Sequence, residues 1–166
     1  MGLYLAVPLG LILGLVQAAL VGEAALLGVR PNLVLLFTLS WVLLRGPREG
    51  AIMGVIGGVI MDINSGAVFG VTVLALLPAV SLAGVGEINV FQGAWFLKYM
   101  VVLGATLLYN LAMILLLTTG GRLVPFWPAL TRIVLPEMLL NLLLMPFAFG
   151  IVKFLSRHLG PQAMEL

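Results

Sequence analysis

Cysteine is absent from the 166 residues, so no disulfide, thiolate nucleophile or cysteine-ligated metal can form. Charge is scarce as well: 8% of the residues are charged, against roughly 25% in a soluble domain that must be wetted all round. Histidine and aspartate occur once each, as His158 and Asp62. An intramembrane aspartyl protease needs two aspartates sharing a proton. A serine hydrolase needs a histidine beside a serine within the fold, and His158 falls in the basic tail KFLSRHLGPQAMEL. Neither a histidine pair nor an HExxH run is present, and no glycine-rich loop carries a lysine for nucleotide phosphates. The chain is therefore expected to catalyse nothing and to hold no metal or cofactor.

What is plentiful is apolar surface. Hydrophobic residues make up 63% of the sequence and the mean hydropathy is +1.25, so this chain could not cover its own surface in water. It reads as an integral membrane protein. A span takes about 20 apolar residues, which allows five or six spans and leaves almost nothing for a soluble domain. We expect one polytopic transmembrane domain over residues 1–166, an all-α bundle of about six helices. The opening MGLYLAVPLG has no basic n-region and no small-residue cleavage site, and reads as a permanent first span. A pI near 9.4 rests on eight Lys and Arg residues scattered between spans, which is topology signal and not a nucleic-acid patch.

The spans are expected at about 3–22, 31–44, 47–65, 67–86, 98–119 and 129–155. Pro31 and Pro47 suit first helical turns, where a missing N–H costs nothing. Residues 31–44 give only about 21 Å of helix, short of a roughly 30 Å hydrocarbon core, so span two is either short or part of a longer helix kinked at Pro31. GEINVFQGAW is expected as an interfacial loop with Trp95 at the headgroups, and GGRLVPFWP as the connection before span six. With both termini cytoplasmic, Arg45, Arg48, Lys98, Lys153 and Arg157 lie inside and Arg30, Arg122 and Arg132 outside, which favours that orientation.

Small residues recur every fourth position on three spans. Span one carries Ala6, Gly10, Gly14, Ala18 and Gly22; span three carries Gly50, Gly54 and Gly58, with Asp62 on the next step; span four carries Ala75, Ala79 and Ala83. Such faces let helix backbones approach closely, a main source of association in lipid. They fit packing among the chain's own helices, or a seat on span one or three for a partner's transmembrane helix. Polar groups gather in the outer half: Glu23, Arg30, Asp62, Arg122, Arg132 and Glu137, with Asn141 one turn further along span six and Asn110 on span five. Intramembrane ionisable groups are costly and usually paired. Arg30 and Asp62 begin and end their helices on one side and are expected to pair, with Asn110 meeting Glu137 and Asn141. The cluster would fix helix register, or form an outward pocket for a ligand or a partner's juxtamembrane segment.

RPNLVLLF at span two, the glycine-rich helix running into DINSGAVFG, and PEMLLNLLLMP in span six together resemble the rod shape-determining protein MreD family, in order and over nearly the whole length. The resemblance implies a non-enzymatic scaffold of the cell-elongation machinery in the bacterial cytoplasmic membrane. It implies a single-span MreC-like partner and, through it, the MreB cytoskeleton, the glycosyltransferase RodA and its transpeptidase. It also implies a fold similar to the six-helix substrate-binding components of energy-coupling-factor vitamin transporters. A vitamin-binding transporter subunit is accordingly the alternative function. A small channel is disfavoured, since no ring of charges or hydroxyls lines a span.

Overall fold

The computed structural model describes residues 3–23, 30–65, 69–87 and 95–158, with the side chains of 3–6, 20–23, 86–87, 95 and 158 outside the description. Ala6, Gly22, Glu23, Trp95 and His158 fall among those side chains, and most of the 86–95 loop and the tail beyond His158 lie outside the described residues. Described secondary structure is helical throughout: α1 (Leu3–Glu23), α2 (Leu33–Arg45), α3 (Pro47–Ser65), α4 (Val71–Glu87), α5 (Trp95–Thr119), α6 (Phe126–Ala129) and α7 (Leu135–His158). A π turn, Leu130–Val134, joins α6 to α7. The resulting rod is apolar from Phe126 to Arg157, and it and Phe96–Thr119 are the two described stretches long and apolar enough to cross a membrane. The sequence places Phe126 in a connection. Instead the helix begins there, after Pro125, whose fixed φ suits entry into a helix.

The middle of the bundle is α2, which packs against α1, α3, α4, α5 and α7. It has 13 residues, about 20 Å of helix, and is short rather than kinked. Asn32 is its N-cap and Pro31 precedes the cap, so Pro31 does not occupy the first helical turn. Its small length follows from composition: Val34, Leu35, Leu36, Leu39, Trp41 and Val42 are all buried, and Gly46 ends it at φ 102, a left-handed conformation that favours glycine. One residue then suffices to reverse into α3 at Pro47. The main core joins α2 to Ala75, Ala79 and Ala83 of α4, to Val102 and Ala105 of α5, and to Met145 and Ala148 of α7. The alanine stripe of span four is thus a seam inside the core. Outward faces keep large apolar side chains such as Leu11, Leu74, Leu115, Leu143 and Phe147 exposed, as a lipid-facing surface requires.

Candidate functional site

A helix that starts inside a bundle must satisfy its first N–H groups without water. At the start of α2 three side chains do so. Asn32 Oδ1 accepts from the Leu35 N–H at 3.0 Å, and Gln17 Oε1 of α1 accepts from the Leu33 N–H at 2.8 Å. Asn141 Oδ1 of α7 accepts from the Asn32 N–H at 3.1 Å. Gln17 Nε2 also donates to the Pro31 carbonyl at 3.0 Å, so this one side chain clamps both sides of the cap. The polar groups at this end of the bundle are therefore built around the start of α2.

The knot extends into α5. Asn141 Nδ2 donates to Thr106 Oγ1 at 3.4 Å and Asn110 Nδ2 to the Thr106 carbonyl at 3.0 Å. Glu137 is buried among the amides of Asn32, Asn110 and Asn141, with Tyr109 close by. One of its oxygens, Oε1, has no hydrogen-bond partner. Glu137 follows Pro136 and the π turn, in which the helix ladder is locally rearranged. Asn110, Glu137 and Asn141 lie together. The group is buried, with Asn141 0% and Glu137 7% exposed.

Asp62 is differently employed from the sequence expectation. Its two carboxylate oxygens accept from the Gly70 N–H at 2.9 Å and the Thr72 N–H at 3.0 Å, at the first turn of α4. Asp62 thus caps the next helix from a distance, where a negative charge also meets the positive end of the helix dipole. Arg30 is exposed, and among the described residues no ion pair joins it to Asp62. Asp62 itself is buried.

The glycine stripes are occupied by the chain itself. A Cβ built on Gly10 would lie 3.1 Å from the Met53 carbonyl oxygen, and one on Gly14 would lie 2.8 Å from Ile60 Cβ, so this face of α1 is seated on α3. Gly50 and Gly54 face Val42 and Thr38 of α2, and Gly58 faces Val73 and Leu76 of α4. Ala18 alone among the described stripe positions keeps an open side, in a small groove it lines with Gln17, Met61, Asn64 and Ser65. Three participants escape the sequence reading although each leaves a signal. Asn32 directly before an apolar run has the form of an N-cap. Gln17 and Thr106 are polar residues within apolar spans, where a partner is the default expectation.

The arrangement offers hydrogen bonds that order helices, and among the described residues no group of three His, Asp or Glu side chains is placed to hold a metal ion. No curated protein and no solved structure matches the chain. A family profile does, that of the rod shape-determining protein MreD, over residues 2–158. With an apolar helical bundle and a match of that extent, the chain belongs to the MreD family, a membrane protein family of rod shape determination.

Proposed function

We propose that this protein is a non-enzymatic scaffold of the bacterial cell-elongation machinery that binds the transmembrane helix of an MreC-like single-span protein. Through that partner it would act on MreB and on peptidoglycan synthesis by RodA and its transpeptidase. The observation that carries the proposal is the family match across residues 2–158. The bundle fits the role, because Gln17, Asn32, Asp62 and Asn141 are spent on helix caps and contacts between helices while its outer faces stay apolar. We place it in the cytoplasmic membrane as a multi-pass, six-span bundle similar to energy-coupling-factor substrate-binding components. Both termini face the cytoplasm in this arrangement. Support for the orientation comes from the basic end of the fold, where Arg45 Nη2 of α2 donates to the Ser156 carbonyl of α7 at 3.4 Å.

Because Gly10, Gly14, Gly50, Gly54 and Gly58 are covered by the chain's own helices, the partner's helix is assigned to the outer side of the α1–α3 pair, at the groove beside Ala18. Ala18→Trp is expected to reduce co-purification of an MreC-like partner about tenfold or more, an interface loss of roughly 1.4 kcal/mol, with the melting temperature unchanged. Full recovery of the partner by a folded Ala18→Trp protein would move the seat elsewhere on the bundle. Failure of the unaltered protein to recover any MreC-like partner would remove the scaffold proposal itself.

A further inference from the structure

At the end of the bundle away from the polar knot, α5 and α7 leave a groove of about 330 Å³ between them. That volume is within the range of small-molecule sites, roughly 300–1,000 Å³. Met145, Phe149 and Tyr99 give it an apolar wall, and Lys98 and Lys153 stand over it. Gly150 keeps it open: a Cβ built there meets nothing within 4 Å. Lys98 Nζ lies 4.4 Å from the centre of the Phe149 ring, so its ammonium is held on the groove wall and not extended along the helix into solvent.

Among the described side chains, cations outnumber carboxylates at this end, and no described carboxylate pairs with Lys98 or Lys153. Glu49, the acidic residue of the neighbouring α3 start, accepts from the Trp41 indole N–H at 3.2 Å. Arg45, which reaches α7 one turn beyond Lys153, has its Nε buried without a partner. Two flexible cations above an apolar slot at the membrane boundary are complementary to one kind of molecule, an anion that carries hydrocarbon. Basic pockets between transmembrane helices on the cytoplasmic side recognise lipid head groups in this way.

We propose that the α5–α7 groove binds an anionic phospholipid, with its phosphate between the ammonium groups of Lys98 and Lys153 and an acyl chain along Met145 and Phe149. A zwitterionic lipid carries its own cation beside the phosphate and is disfavoured there. The site is independent of the partner seat on α1 and α3.

The test is lipid retention by the full-length purified protein, read by native mass spectrometry with phosphatidylglycerol, phosphatidylcholine and inorganic phosphate as probes. Phosphatidylglycerol is expected to be retained about tenfold over phosphatidylcholine, and the preference to vanish in Lys98→Gln/Lys153→Gln. Gly150→Leu keeps every charge and places its side chain in open space, so it should fold and still block the lipid. Arg48→Gln removes an exposed cation at the same end outside the groove and should retain lipid normally. Full retention by Gly150→Leu, or a loss in Arg48→Gln equal to that of the lysine pair, would show diffuse surface attraction and overturn the site. Displacement of the lipid by equimolar inorganic phosphate would overturn the lipid assignment. Should the lysine variant fail to give a normal melting curve, Gly150→Leu decides alone.

Discussion

Gly50→Leu is expected to destabilise the bundle by about 3 kcal/mol. A Cβ at Gly50 would overlap Val42 Cγ2 and would lie 3.0 Å from the Val42 backbone nitrogen and 3.1 Å from its Cα. A side-chain tip could rotate away, but a backbone cannot, so α2 would have to move. That helix touches α1, α3, α4, α5 and α7, and its displacement would loosen its contacts with all five at once. Overpacking a core ordinarily costs about 1–3 kcal/mol. Here the upper end is expected, which for a chain of this size corresponds to a fall of roughly 6–12 °C in melting temperature or to loss of monodisperse protein. Thermal unfolding of the purified variant measures it. A Gly50→Leu protein melting with the unaltered one would mean that α2 and α3 are not in this close contact.

Asp62→Leu carries the second large effect. The substitution strands the Gly70 and Thr72 N–H groups at the start of α4, where both now donate to the carboxylate. An unsatisfied buried donor costs about 1–3 kcal/mol, so the pair amounts to roughly 2–6 kcal/mol. Asp62→Asn keeps one acceptor and should lose about half as much. Arg30→Ala should shift stability by no more than about 0.5 kcal/mol, as exposed substitutions usually do. Hydrogen exchange at Gly70 and Thr72, read together with melting curves, distinguishes a helix cap from an ion pair. If Arg30→Ala destabilised the protein as much as Asp62→Leu, the two residues would be paired in the membrane after all.

The contrast between Asp62 and Pro47 shows what this sequence reveals and what it conceals. Pro47 and Ser65 bound α3 as expected from the sequence, because a proline fixes a first turn wherever the rest of the chain lies. The membrane class, the helical composition and the small-residue seams are likewise local or compositional properties. Asp62 is legible as a buried polar residue needing a partner, but the partner is not, since Gly70 and Thr72 donate from the backbone and backbone donors leave no letter in the sequence. Pro31 misleads for a related reason: Asn32 competes for the cap position and has a side chain that bonds the Leu35 N–H. The stripe at Gly10, Gly14, Gly50 and Gly54 signals close approach without saying whose helix approaches. Its occupants, Ile60, Val42 and Thr38, are ordinary apolar-span residues with no distinguishing pattern.

Among the described residues, the polar knot anchors the buried end of α2 and the glycine faces close α1, α3 and α4 around it. On the function proposed above, rod shape determination would depend on what the bundle's exterior presents to a partner.

The most direct measurement uses the absence of native cysteine. A Cβ at Gly54 would lie 3.8 Å from Thr38 Cβ, the separation typical of a disulfide. The double variant Thr38→Cys/Gly54→Cys, oxidised in native membranes containing an MreC-like partner, is predicted to form the intramolecular bond in nearly all molecules, whether or not the partner is present. An introduced α3 thiol that stays reduced, or that crosslinks to a cysteine in the partner's transmembrane helix, would show that the glycine face of α3 is a docking seat and would contradict the account.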